Sequence, residues 1–415
     1  MIAVPRLTLA LASVAQSWRR GRLAFACVAA IVVSSSATAQ AGRDTLPNTV
    51  QGGIYNRPFI GSLGRTSIGG YVEGNTNYAQ EDGVSEGFTM ELRRFNIFLF
   101  SSIGSRIRFI SELEFEHGTE EIALETALID VQVNPSFIVR AGILLPPIGA
   151  FNVNHDSPRW NFVDRPLVST LIIPATLSEV GFGVHGRLLP RGFSLTYDAY
   201  LVNGLGDGVI LNAEGRTSLA AGRSAERLGE DNNGSPAFTG RVAAQRRTWG
   251  EIGVSWYRGA YNSYKVEGVR VDETRRVGLV ALDLTTQLGP IDLRGEIARA
   301  AIDVPDDLRE FFAERQSGWH LDASLPLFRP KLRGWPEAAV HADVRLEQVD
   351  LNRGRFASTG ANIGAETLAV VLGASFRPVS GTIVKLNYRR QRASDLLANA
   401  PARLGALQVG FATYF

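Results

Sequence analysis

Charged residues recur at every second position in several stretches of this chain. In RIRFISELEFEH, Arg106, Arg108, Glu112, Glu114 and Glu116 fall on one face and Ile107, Phe109, Leu113 and Phe115 on the other. HADVRLEQ repeats the pattern with His341, Asp343, Arg345 and Glu347, TIVKLNYRR with Lys385, Asn387 and Arg389, and DLRGEIA with Asp292, Arg294 and Glu296. Alternate residues of a strand share a face, so these form rows of fixed charge. The chemistry open to such rows beside water is electrostatic: they orient dipolar solutes and steer ions. A unit pair about 4 Å apart interacts at roughly 1 kcal/mol in water and about 4 kcal/mol at an effective dielectric of 20. The basic face comprises Arg94, Arg106, Arg108, Arg140, Arg187, Arg294, Arg345, Lys385 and Arg389. The acidic face comprises Glu112, Glu114, Asp130, Asp292, Glu296, Asp343 and Glu347. The alternative is that these charges pair across strands and only fill a wet interior.

Covalent chemistry finds less support. His155, Asp156 and Ser157 are the three residue types of a hydrolase, but consecutive residues make a poor spatial relay and no nucleophile elbow is present. GFGVHG, residues 181–186, matches a dinucleotide-binding pattern without the helix that pattern requires. Its glycines fit a thin wall against which a loop packs. His117, His185, His320 and His341 are scattered and suggest no metal cluster. No enzyme activity, cofactor or metal is expected. DDLREFFAERQ, residues 306–316, has helical spacing at Leu308, Phe311, Phe312 and Arg315 and predicts a short helix in a loop.

The elements that carry the charges are strands of about ten to thirteen residues, roughly twice the length usual in soluble proteins and close to the 9–11 that cross a bilayer at a tilt. Tight turns at 103–105, 134–135, 189–192, 247–248, 287–290 and 378–381 alternate with long connectors at 144–176, 204–236, 259–273, 303–316, 350–364 and 393–403. Strand starts near 66, 87, 106, 122, 136, 177, 192, 237, 250, 274, 290, 317, 338, 365, 381 and 404 predict about sixteen strands, with both ends on the tight-turn side. The fold class is all-β, a closed antiparallel transmembrane barrel over 66–415. Trp319, Tyr388, Tyr414 and Phe415 lie near strand ends, where aromatic girdles form.

The termini agree with export to a membrane. Arg19, Arg20 and Arg22 precede an eleven-residue apolar run, Leu23–Val33, and small residues suited to cleavage near Ala39 or Ala41. The run is too short to span a bilayer and reads as a signal peptide over 1–41. Cys27 lies inside it, so the mature chain has no cysteine for a disulfide or a thiolate metal site. The full chain has 43 Lys+Arg and 41 Asp+Glu, and loss of Arg6, Arg19, Arg20 and Arg22 leaves 39 bases against 41 acids. A nucleic-acid partner is not expected from that balance. Residues 42–65, with Pro47 and Pro58, lack alternation and fit either a periplasmic tail or a segment tucked into the lumen. The chain ends in QVGFATYF, which closes the sheet with Phe411 and Phe415 toward lipid and Gln408 toward water.

MELRRFNIFLFSSIGSRIRFISELEFE (90–116) and DVQVNPSFIVRAGILLPPIGAFNVNHDSPRWNFVDRPLV (130–168) resemble the phosphate-selective porin O and P family. The resemblance rests on Arg93-Arg94, on Arg140-Ala141-Gly142 running into Pro146-Pro147-Ile148-Gly149, and on Asp164-Arg165-Pro166 ahead of Pro174. It implies a Gram-negative outer-membrane location, a homotrimer of sixteen-stranded barrels, and a loop, here Leu144–Thr176, folded into each lumen. It also implies that Phe415 is an assembly signal read by the barrel-assembly machinery. The chain departs from the family in having only Lys265, Lys331 and Lys385, so arginine would have to bind any phosphate.

A sixteen-stranded barrel leaves an aqueous channel, so passive diffusion of small hydrophilic or anionic solutes is the expected function. Arg140, Arg159 and Arg165, at the base of or on the lumen loop, are the expected constriction. The competing readings are an enzyme or a structural adhesin on the same barrel, and a gated transporter, which would need about 22 strands and a larger plug.

Overall fold

Every stretch of alternating residues becomes a strand that begins within two residues of its expected start. The structure is a computed structural model that describes residues 49–58, 61–63, 65–85, 87–190, 192–223, 228–231 and 233–415. The expected signal peptide lies outside the described residues, as does the start of the 42–65 segment.

The barrel strands are β1 (Thr66–Glu81), β2 (Phe88–Ile103), β3 (Ile107–Glu116), β4 (Glu121–Asn134), β5 (Phe137–Leu144), β6 (Glu179–Leu188), β7 (Ser194–Val202), β8 (Ala237–Arg246), β9 (Gly250–Ala260), β10 (Arg276–Leu288), β11 (Ile291–Ile302), β12 (Arg315–Phe328), β13 (Ala339–Asp350), β14 (Glu366–Val379), β15 (Thr382–Ala393) and β16 (Ala402–Tyr414). Each pairs antiparallel with the next, and β16 returns to β1 with Leu404 opposite Glu81 and Tyr414 opposite Tyr71. Closure leaves no free edge, as hydrocarbon demands.

The two faces are inverted relative to a water-soluble sandwich. Leu282, Leu284, Leu321, Leu346, Leu372, Leu386, Leu407 and Phe411 are exposed on the outside. Glu112, Asp130, Arg241, Asp283, Arg345 and Lys385 are buried on the inside. Such a belt of exposed large apolar side chains suits lipid as its solvent. No helix among the described residues is long and apolar enough to cross a membrane.

The seam shows why glycine sits on the first strand. Gly70 exchanges two backbone hydrogen bonds of 3.0 Å with Phe415, whose ring stacks on Phe95 at 5.4 Å. A Cβ on Gly74 would meet the Phe411 ring at 2.6 Å, and one on Gly70 would meet both the Phe415 ring and the Asn96 carbonyl. Two aromatic rings of the last strand therefore lie over bare backbone of the first.

Two features depart from the alternation. One residue too many stands in β4 opposite β3, where the register shifts between Glu112 and Leu113; the bulge buries Glu125 and Thr126 together. DDLREFFAERQ forms only a 3₁₀ turn, Asp306–Leu308, before Arg315 enters β12. So short a helix would be marginal by itself, and the ladder with β11 and β13 takes its last residues.

Replacing Gly70 with Val should displace Phe415 or the Asn96 carbonyl and cost about 1–3 kcal/mol. The urea midpoint of the heat-modifiable folded band on a gel checks this, and an unchanged midpoint would show that the seam tolerates the bulk.

Candidate functional site

The connector between β5 and β6, residues 145–178, folds inward and crosses the lumen with little regular structure. It has a 3₁₀ turn at Ser157–Arg159 and a π-helical turn at Val168–Ile172. Its backbone polar groups cannot satisfy one another, and buried ones must find partners. The barrel wall supplies them. Glu296 on β11 accepts from the Ala150 and Phe151 amides at 2.8 and 3.3 Å and from Ser169 Oγ at 2.7 Å. Glu347 on β13 accepts from the Leu167 amide at 2.7 Å, and Asn387 on β15 from Val163 at 2.7 Å. Lys385 Nζ donates to the Ser157 and Phe162 carbonyls and to Ser157 Oγ at 3.1, 3.0 and 2.9 Å. Arg345, Arg294 and Arg377 donate to the carbonyls of Asp164, Arg159 and Pro158 at 2.7, 2.9 and 2.8 Å.

Residues 49–58 also enter the lumen. The Val50 amide donates to Glu251, Gln51 to Asp198 and Tyr55 to Asp130, while Arg57 bridges Glu112 and Asp156 at 2.7 and 2.8 Å.

The structure sets most of the expected steering charges into close pairs. Arg140 forks onto Asp130 at 2.8 and 2.9 Å and donates to Tyr55. Arg94 pairs with Glu73, Glu114 and Glu116, Arg389 with Glu347, and Arg345 with Asp322. Arg108 lies over the Tyr55 ring at 5.8 Å, and Arg187 stands opposite Thr196 near the tight-turn end. Arg165 donates to Thr176 and lies 5.9 Å from the Phe151 ring. Arg159 donates to Tyr414, Asn154 and the Gly53 carbonyl and is 3.5 Å from Asp156.

The three consecutive residues with hydrolase types face different partners. Ser157 Oγ accepts from Lys385, and Asp156 accepts from Arg57 and Tyr414. The His155 imidazole sits between Glu125 and Glu112, with Nε2 at 3.0 and 3.9 Å from their oxygens. Burial opposes its charge, but Glu125 and then Glu112 outweigh burial and push the pKa up to about 10.

The connector 203–236 also turns inward, although its length had suggested an external loop. The Gly204 and Leu205 amides donate to Glu179 and Tyr257 at 2.7 and 2.9 Å, and Arg223 donates to the Thr176 carbonyl at 2.9 Å. Leu205, Val209, Ile210 and Leu219 pack with Ile148, Val168, Ile172 and Leu177 of the first loop into an apolar cluster. That cluster lies against wall residues such as Val202, Val277, Ile302 and Val349. Elsewhere in the lumen Arg93, Glu116 and Asp164 keep partial exposure. At the tight-turn end a cavity of about 480 Å³ is lined by Arg159, Arg294 and Arg377, with Glu251, Asp292 and Asp322 among its other walls. Glu251 and Asp322 are held by Arg241 and Arg345, whereas Arg294 and Arg377 hydrogen-bond only neutral acceptors among the described residues.

Several of these residues escaped the sequence reading. Arg377 precedes Pro378 at a strand end, where alternation fades, and Glu125 is displaced by the bulge. Tyr55 and Arg57 belong to a segment without periodicity. Asp283, partner of Arg241, was legible between Leu282 and Leu284.

No family model matches the chain. It is 26% identical over 360 residues to an uncharacterized protein of Aquifex aeolicus, covering 79% of this chain and 76% of that protein. Among solved structures, the anion-selective porin from Comamonas acidovorans superposes with a TM-score of 0.51 at 13% identity, over 84% of this chain and 99% of that one. The trimer form of OmpT, an outer membrane protein of Vibrio cholerae, gives 0.50 at 11% identity, over 85% and 100%. These likenesses show the fold, that of outer-membrane porins.

Replacing Lys385 with Met leaves two loop carbonyls without their donor and should cost about 1.5–3 kcal/mol. Urea unfolding of the refolded barrel measures it, with faster proteolysis of 145–178 as the second readout; no change in either would mean that Lys385 does not hold the loop.

Proposed function

We propose that this barrel is a passive channel of the outer membrane that admits small hydrophilic solutes and prefers anions. The observation that carries the reading is the tight-turn vestibule, where Arg159, Arg294 and Arg377 converge on one cavity and the last two have no carboxylate partner among the described residues. A charge already matched by a neighbour at hydrogen-bond distance exerts little field on a passing ion, so Arg140 and Arg345 contribute less than their positions suggest. Unmatched guanidiniums attract anions, and their planar forks suit oxyanions such as phosphate. Packing on one side of the lumen and charge on the other leaves a narrow polar path rather than a wide pore. We take the chain to be a channel and not a catalyst, since His155, Asp156 and Ser157 are each engaged with other groups. Assembly into a trimer and recognition of Phe415 during barrel assembly complete the proposal; the trimer form of the Vibrio cholerae protein with this fold supports the first.

In planar bilayers under a salt gradient, the refolded protein should give small steady openings with an anion-side reversal potential. The triple variant R159Q/R294Q/R377Q should move that potential toward zero. The paired variant R140Q/D130N, which removes one positive and one negative charge, should leave it nearly unchanged. Inorganic phosphate should reduce chloride current in the parent and not in the triple variant. An unmoved potential in the triple variant defeats the vestibule assignment, and electrical silence from a folded barrel favours a structural or adhesive role.

A further inference from the structure

The neighbourhood of His155 asks for a cation on geometric grounds. Its Nδ1 lies 3.0 Å from the Asn152 carbonyl, an acceptor, so Nδ1 carries a hydrogen. That leaves Nε2 facing two carboxylates, Glu125 Oε2 at 3.0 Å and Glu112 Oε1 at 3.9 Å. A neutral imidazole would point a lone pair at both. Either a second proton or a metal ion must occupy the space between them. An Nδ1 hydrogen committed to a backbone carbonyl is the arrangement that prepares Nε2 as a metal ligand.

The dimensions suit an ion. Tetrahedral zinc with bonds of about 2.0–2.2 Å to nitrogen and oxygen places its ligand atoms roughly 3.4 Å apart. Here the ligand atoms of Glu112, Glu125 and His155 all lie within 4.8 Å of one another and all three residues are buried. Two further buried oxygens stand beside them without a hydrogen-bond partner. One is Oδ1 of Asn96, whose amide nitrogen already donates to Glu112 at 2.7 Å; the other is Oγ1 of Thr126, which stands directly across the strand pair from Glu112. Neither residue has any exposed surface. Arg57 does not compete for the same atom, because it pairs with the other oxygen of Glu112.

We infer that Glu112, Glu125 and His155 form a binding site for a divalent transition cation of zinc-like chemistry, with Asn96 or Thr126 beside its fourth position. One imidazole with two carboxylates favours zinc, cobalt or nickel over calcium and magnesium, which prefer oxygen-only shells. The ion would join the lumen loop, through His155, to the wall strands β3 and β4. Nothing in this assignment depends on whether the channel prefers anions.

The test uses refolded, chelator-stripped protein titrated with Zn²⁺ in a calorimeter and with Co²⁺ in a visible spectrometer. One ion per chain and the absorption band of four-coordinate Co²⁺ are expected. Both should disappear in H155A and in E125Q and persist in H117A, which removes the exposed imidazole beside Glu91. H155C, which offers zinc a thiolate at the same place, should restore Zn²⁺ binding. Folded parent protein that takes up no Zn²⁺, or H155A that binds as the parent does, overturns the assignment. Should the variants fail to fold, anomalous diffraction at the zinc edge from the parent decides: a peak at His155 Nε2 upholds the site, and its absence there refutes it.

Discussion

The constraint on which the rest depends is the backbone of the lumen loop. Thirty or so residues of irregular chain lie inside a barrel, away from free water, and carry amides and carbonyls that no helix or sheet of their own can pair. The wall side chains are long, charged and evenly spaced because strands present them so, and they reach inward to supply the missing partners. Acids on β9, β11 and β13 meet amides; bases on β11, β13, β14 and β15 meet carbonyls. Breaking such a contact costs more than the bond itself, because a buried group is then left unsatisfied.

This use of charge bears on permeation. A base engaged with an acid two strands away, as Arg345 is with Asp322 on the neighbouring strand and Arg241 with Asp283, holds the wall and the loop in shape while contributing a weak external field. Selectivity must come from whatever charge the scaffold leaves over. The surplus lies at the tight-turn mouth, where arginines that hold loop carbonyls gain hydrogen bonds without losing their net charge. A carbonyl is a neutral acceptor, so a guanidinium that anchors the loop still attracts an ion.

The barrel was legible from the sequence because strand alternation is a local property: each of the sixteen strands could be placed from its own residues, and the even count followed. The inward course of 145–178 was suggested by its length and place. What could not be read was who meets whom across the lumen. Glu112, Glu125 and His155 converge from two strands and a loop, and the bulge that turns Glu125 inward breaks the periodicity that would have pointed to it. Arg57 reaches Asp156 from a segment with no pattern at all. The connector 203–236 looked like an external loop because it is long and polar at its middle, yet Leu205, Val209, Ile210 and Leu219 draw it into the core.

The seam between β16 and β1 makes the first strand wait for the last. Gly70 and Gly74 leave backbone bare until Phe415 and Phe411 arrive, and those rings belong to the final residues of the chain. A chain cut even slightly short would have every other strand pair and still present two open edges, the form most prone to join a neighbour or meet a protease. Completeness of synthesis is thereby checked by geometry, since only a full-length chain can become a cylinder.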